Sequence, residues 1–256
     1  MTLSRIARSI AFRARLLWYL VRSSNSGYCH CCRRKTRFYT TGPWLRDQYL
    51  CRHCRSIPRL RHINHILDRF VPGWEKMKIH ESSPGNLLIA QWAGEYSSSQ
   101  YFAGIAEGAM HNGIRCENLE HLTFHDNTFD IFITQDVMEH VFHPGKAFSE
   151  IMRVLKPGGV HVFTAPKHKN IDRSYARAII ENGNVRHLLE PVYHGNPVGD
   201  GRALVTWDYG DDFEMRIWEW CGFPTITYVT RDRELGLDGE YLEVFVTHKI
   251  PESKHV

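Results

Sequence analysis

Apolar residues along this chain fall into two periods that alternate. Over residues 2–22, Leu3, Ile6, Ala7, Ile10, Ala14, Leu17 and Val21 share one face at helical spacing, while Arg5, Arg8, Arg15 and Arg22 lie opposite and Arg13 sits near the edge. His62–Phe70 repeats the helical period through Ile63, Ile66, Leu67 and Phe70, and Pro72 and Gly73 end it. From Trp74 onward strands and helices alternate. Met77–His80 reads as a strand, Asn86–Trp92 as a short helix and Phe129–Thr134 as an apolar strand. Pro144–Leu155 reads as a helix with Ala147, Phe148, Ile151, Met152 and Leu155 inward; Pro157-Gly158-Gly159 stops it, and Val160–Phe163 is the next strand. Asp211–Trp220 reads as a helix capped by Gly222, followed by strands Phe223–Val229 and Tyr241–Thr247. This alternation predicts an α/β fold with a largely parallel sheet covered on both faces. The chain divides into a basic amphipathic segment at 1–27, a cysteine-rich module with a connecting helix at 28–73, and the α/β domain at 74–256.

Composition narrows this further. With 43% hydrophobic and 23% charged residues, global disorder is excluded. No apolar run approaches the ~20 residues that cross a bilayer. The charge is unevenly placed: residues 1–46 hold ten Lys or Arg and no acid, whereas residues 47–256 hold 22 bases against 28 acids. Three readings of the basic helix follow. It docks on the protein's own core or a partner subunit, it lies on an anionic membrane surface through its arginines and Trp18, or it is an organellar targeting segment. The first segment has no uninterrupted apolar stretch of the secretory kind, so the expected location is cytoplasmic, peripheral at the membrane if the helix rests there.

Five of the seven cysteines lie between Cys29 and Cys54. Cys29-His30-Cys31-Cys32 and Cys51-Arg52-His53-Cys54 form two C-x2-C pairs 18 residues apart. Each pair presents two thiolates, and two such knuckles complete a closed tetrahedral zinc site, so Cys29, Cys32, Cys51 and Cys54 are the expected ligands of a structural Zn2+. Cys31 is the spare. His30 and His53 suit solvent-facing knuckle positions. Arg33, Arg34, Lys35, Arg37, Arg52 and Arg55 surround the module; they fit nucleic-acid binding and equally a solvated basic face.

The run Phe129-Asp130-Ile131-Phe132-Ile133-Thr134-Gln135-Asp136-Val137-Met138-Glu139-His140-Val141 resembles the fourth-strand motif of class I S-adenosylmethionine-dependent methyltransferases of the type 11 group. Arg153-Val154-Leu155-Lys156-Pro157-Gly158-Gly159 resembles their next turn, and Val160–Pro166 the strand after it. With weaker flanks the resemblance runs from about Met77 to Lys249, and a zinc knuckle pair ahead of such a domain resembles a bacterial subgroup in which a His-Glu-Ser-Ser-Pro segment replaces the glycine-rich cofactor motif. It implies a Rossmann-like sheet and S-adenosylmethionine as cofactor.

Ligands of open α/β sheets bind beyond the carboxyl ends of the strands. The first strand runs out into His80-Glu81-Ser82-Ser83-Pro84-Gly85. There Glu81 suits the methionine ammonium, Ser82 and Ser83 are small donors, and Gly85 permits close backbone approach. A serine-rich helix cap is the plain alternative. G-x-G-x-x-G is absent, and no acid for the ribose hydroxyls stands in Ser97–Phe102, where Tyr101 suits either the cofactor or the core. The resemblance places Asn118 and Leu119 at adenine, and Gln135 and Asp136 beside the reacting methyl; an ordinary loop and a helix cap are the competing readings. His140, just after the fourth strand, is a candidate base for an acceptor that must lose a proton, or else a histidine that holds the loop before Pro144. His194, in the Tyr193–Pro197 part of the long insertion, is the second base candidate.

Three functions fit. One is methyl transfer to a small-molecule or glycan acceptor. Another is methyl transfer to RNA or protein, with the zinc module gripping the macromolecule. The third is a non-catalytic zinc-based binding protein on a methyltransferase scaffold.

Overall fold

The structure is a computed structural model that describes residues 24–195 and 201–251. The amphipathic helix expected over residues 2–22 lies outside the described residues, as do Asn196 and Pro197 of the insertion. Among the described residues no helix is long and apolar enough to cross a membrane.

The chain forms two compact units. Among the described residues, the first holds those up to Pro72 together with Val229–Leu242, and the second holds those of Gly73–Tyr228 and those from Glu243 onward. The sequence pattern placed residues 229–242 in the α/β domain, but they pack with the cysteine module instead. In this smaller unit, β1 (Asn25–Cys29), β2 (Arg34–Thr40) and β3 (Tyr49–Cys51) form an antiparallel sheet, with the short α1 (Leu45–Gln48) before β3. The helix expected from His62 starts earlier, as α2 (Pro58–Phe70), because Pro58 occupies its first turn where a missing N–H costs nothing.

The core of this small unit is organised around a buried cation. Arg61 is fully buried. It donates to the Gly236 carbonyl from Nε at 3.0 Å and Nη2 at 2.7 Å, to the Tyr49 carbonyl at 2.8 Å, and to the Ser56 carbonyl. Its guanidinium also lies over the Phe38 ring at 4.7 Å. One side chain thus ties α2 to β3, to the knuckle turn and to the returning segment.

In the larger unit, β4 (Lys78–Ser82), β5 (Glu95–Gln100), β6 (Met110–His111), β7 (Ile114–Cys116), β8 (Phe129–Gln135) and β9 (Leu155–Thr164) precede an insertion. The insertion is built of three short antiparallel ribbons, which pair β10 (Tyr175–Ala176) with β15 (Trp207–Asp208), β11 (Ala178–Glu181) with β12 (Asn184–His187), and β13 (Tyr193–Gly195) with β14 (Arg202–Leu204). β16 (Thr225–Tyr228) and β17 (Val244–His248) complete an eight-stranded sheet of order β16-β17-β9-β8-β4-β5-β7-β6. β7, β5, β4, β8 and β9 run parallel; β17 runs antiparallel between β9 and β16. Both central strands are buried almost throughout, as a parallel sheet requires.

α3 (Pro144–Val154) and α4 (Phe213–Cys221) cover one face, and Gly222 caps α4 in the left-handed conformation. Ala147, Phe148 and Ile151 of α3 and Phe213 and Ile217 of α4 meet Phe132, Phe163 and Phe245 of the sheet in one core. The opposite face carries Ile79, Ile131, Ile133, Val160, Val162, Val244 and Val246, all buried and β-branched. Asn86–Trp92 is not a helix. The Asn86 side chain takes the Leu88 N–H, and the segment closes only as turns, with Trp92 and Ala93 donating to the Ile89 carbonyl. Pro157-Gly158-Gly159 does not separate α3 from the next strand: β9 begins at Leu155, and these residues form the irregularity between the pairs Phe129–Leu155 and Ile131–Val160.

Two histidines are built into the sheet core. His80 reaches Ser97 Oγ and Ser99 Oγ at 2.9 Å each, and His161 reaches Thr134 Oγ1 at 3.0 Å and stacks on Phe163. Burial pushes both down to about 3, aided at His80 by the Arg115 charge, so both are neutral in the fold. A depressed folded value gives stability that is full above the unfolded value near 6.5 and is lost as pH falls. The expected loss is up to about 1.4 kcal/mol per pH unit for each histidine below pH ~6.5. Urea unfolding between pH 7.5 and 5 checks this: His161→Phe, which keeps the aromatic stack, should show a shallower acid-side loss than the unsubstituted protein, and an unchanged slope contradicts it.

Candidate functional site

Parallel pairing brings the exits of β4 and β8 to one edge, with Ser82 opposite Thr134. Glu81, fully buried, accepts from Gln135 Nε2 at 2.5 Å on Oε1 and from Tyr96 OH at 2.7 Å on Oε2. Burial pushes its carboxyl up to about 7, against the pull of the Tyr96 and Gln135 hydrogen bonds. Each carboxylate oxygen keeps a second lone pair, so this network leaves room for a further donor.

The turn after β4 is held open. Ser82 is buried; Ser83 has φ +55° and donates its N–H to the Ser99 carbonyl at 2.8 Å, which anchors the turn on β5. A Cβ placed on Gly85 would meet no atom within 4 Å, so there is space over the turn. Asp136 also has a positive φ, +51°. Its N–H donates to the Thr164 carbonyl at 3.0 Å, and its Oδ1 accepts from Thr164 Oγ1 at 2.8 Å. Two strand exits side by side thus carry left-handed residues, the strained backbone that accompanies ligand loops.

The other expected cofactor residues divide. Tyr101 follows β5 with half its surface exposed. Asn118 spends its Oδ1 on the Glu120 N–H at 3.0 Å in its own turn. Leu119 is 5% exposed and belongs to the core with Leu122 and Phe129, so it has almost no surface to offer an adenine ring. No acid emerges at the end of β5; the nearby Glu117 is buried against Arg115 and Thr123.

His140 and His194, 54 positions apart in sequence, come together edge to face with ring centroids 5.1 Å apart. His140 donates from Nδ1 to the Leu204 carbonyl at 2.8 Å, and its Nε2 lies 3.8 Å from Glu139 Oε1. Glu139 lies between them. Burial alone would raise its carboxyl; His194 and His140 outweigh that and hold it below the usual range. Glu139 and Tyr96 escape a reading by sequence, since neither sits in a pattern that separates it from ordinary core or loop.

In the smaller unit the Sγ atoms of Cys29, Cys32, Cys51 and Cys54 all lie within 4.8 Å of one another, while Cys31 stays outside the group. Two separations, 3.7 Å for Cys29–Cys54 and 3.9 Å for Cys32–Cys51, bracket the ~3.8 Å edge of a tetrahedron with bonds of about 2.3 Å, and both are far longer than a disulfide. The donor set therefore fits one tetrahedral ion. The buried Arg61 offsets the charge that four thiolates would carry. A groove of about 810 Å³ in this unit is lined by Lys35, Arg37, Arg52, His53, Glu234 and Leu235 among others.

Comparison with known proteins adds the following. Residues 95–163 match the family model described as a methyltransferase domain. A stretch of 78 residues, 30% of this chain, is 33% identical to the mitochondrial 2-methoxy-6-polyprenyl-1,4-benzoquinol methylase of Caenorhabditis elegans, covering 22% of it. A stretch of 89 residues, 35% of this chain, is 28% identical to an uncharacterised 37.1 kDa transposon protein of Streptomyces fradiae, covering 26% of it. The chain thus spans about a quarter of the length of these relatives. Among solved structures, the 1,6-didemethyltoxoflavin-N1-methyltransferase of Burkholderia thailandensis aligns at 10% identity over 75% of this chain and 78% of its own, with a TM-score of 0.48. Residues 95–163 carry a methyltransferase-domain match, and the strand order of the larger unit is that of the Rossmann-like class I methyltransferase fold.

Proposed function

We propose that this protein is an S-adenosylmethionine-dependent methyltransferase acting on a small-molecule or glycan acceptor, with a structural zinc in its smaller unit. The observation that carries the reading is the Glu81–Gln135–Tyr96 network at the joined exits of β4 and β8, beneath an open turn. Bound S-adenosylmethionine supplies a methyl group already activated on a sulfonium. Glu81 would receive the methionine ammonium, Ser83 and the backbone through Gly85 would line the amino-acid end, and Asp136 would border the reacting centre. Tyr101 and Asn118 remain the residues for the nucleoside end. Because the donor is activated, positioning and water exclusion carry much of the rate, and a base is needed only for an acceptor that loses a proton. His140 Nε2 and His194 are the groups that would take it.

The basic groove of the smaller unit favours a second reading, an RNA or protein acceptor gripped there. RNA binding that falls steeply with added salt would support it; no RNA binding at low salt would remove it.

Calorimetry with S-adenosylhomocysteine tests the cofactor assignment. An ionised Glu81 attracts the ligand's ammonium and a protonated one does not, so affinity should rise as pH increases through about 7. Glu81→Gln should flatten that rise and weaken binding about tenfold at pH 8, the scale of one charge-assisted hydrogen bond. Absence of binding heat at high protein concentration would instead favour a zinc-based binding protein on a methyltransferase scaffold.

For the metal, the paired change Cys51→Ser with Cys54→Ser should lose one zinc per chain by elemental analysis and unfold the smaller unit, because its few apolar residues need the ion. A folded double variant with full zinc content would overturn the ligand assignment.

A further inference from the structure

Proton handling by two histidines leaves one feature of their site unexplained. Glu139 is 1% exposed, and neither of its carboxylate oxygens receives a hydrogen bond among the described residues. A buried carboxylate in that condition is strongly disfavoured unless a cation faces it. The groups that face it are imidazole nitrogens. Glu139 Oε1 lies 3.6 Å from His194 Nδ1 and 3.8 Å from His140 Nε2. His140 has already committed its Nδ1 to the Leu204 carbonyl, so Nε2 is the ring nitrogen turned toward the carboxylate.

We propose that Glu139, His140 and His194 bind a divalent transition-metal ion. One ligand atom from each lies within 4.8 Å of the other two. Tetrahedral bonds of about 2.0–2.1 Å have edges near 3.4 Å, and the two carboxylate–imidazole separations of 3.6 and 3.8 Å exceed that edge by a few tenths of an ångström. Two imidazoles and one carboxylate make a borderline donor set that suits Zn2+, Fe2+, Co2+ or Mn2+ and selects against Ca2+. The hydrogen bond from His140 to a backbone carbonyl is the kind of outer contact that fixes a metal-bound imidazole's tautomer. One ribbon supplies both parts of this arrangement, because β13 carries His194 and its partner β14 carries Leu204. Unlike the four-cysteine site, this one has three protein ligands and leaves coordination open for water or an acceptor oxygen. There a metal would lower the acceptor hydroxyl's pKa in place of a free histidine base. That last role rests on the methyltransferase reading; metal binding does not.

The test reads metal content, so it stands apart from methylation. Full-length protein saturated with zinc and desalted should hold two ions per chain. Glu139→Gln and, independently, His194→Ala should each hold one, and so should the Cys51→Ser, Cys54→Ser protein, which loses the other. His194 lies on an exposed ribbon, so its variant remains informative if Glu139→Gln does not fold. After a mild chelator has stripped the weaker ion, added Co2+ should give weak visible bands without thiolate charge transfer, and these should vanish in both variants. The proposal is overturned if the unsubstituted protein holds a single ion, or if both folded variants retain two. It is also overturned if NMR titration finds His194 protonated against Glu139 while zinc causes no further shift.

Discussion

The parallel pairing of β4 with β8 is the constraint from which the larger unit follows. A strand pair buried on both faces accepts only one register, because a slip by one residue would exchange the aromatic row facing α3 and α4 for the β-branched row behind it. With His80 fixed opposite Phe132 and Ser82 opposite Thr134, both chains must leave the sheet at the same edge. Glu81, one residue before the end of β4, then meets Gln135, the last of β8. The candidate cofactor site is thus a consequence of core register, and no separate loop device is needed to assemble it.

Buried charge is handled differently in the two units. In the smaller one, Arg61 is saturated with carbonyl acceptors and lies against aromatic rings, so it acts as a structural tie. In the larger one, burial raises the Glu81 carboxyl to about 7 despite its two donors, and the Glu139 carboxylate lies beside the imidazoles of His140 and His194. A group whose partners satisfy it fully serves the fold; one left partly unsatisfied is available to a ligand. By this criterion His80, with both ring nitrogens on serine hydroxyls, belongs to the core, while His140 and His194 belong to the candidate site.

The cysteine module shows how little sequence a candidate metal site needs. Two knuckles and a three-stranded sheet bring four sulfurs within 4.8 Å of one another, with Cys31 left over although it lies between two of the four. The returning segment Val229–Leu242 completes this unit from the far end of the chain, which local periodicity has no means to register.

The local patterns of the sequence determined the α/β class, the strand β8, the later part of β9, the helices α3 and α4, the left-handed cap at Gly222 and the four cysteines that cluster. Each depends on neighbours a few residues apart, where periodicity, turn chemistry and ligand spacing act directly. Tertiary structure decided the rest. It replaced the short helix at Asn86–Trp92 with turns and put Leu119 into the core. It paired Glu81 with Gln135 across 54 positions, and it brought His194 to Glu139 through an insertion whose sequence reads only as loop. Those contacts come from strand register and ribbon pairing over long separations, and the residues involved carry no local mark of the partner they will meet.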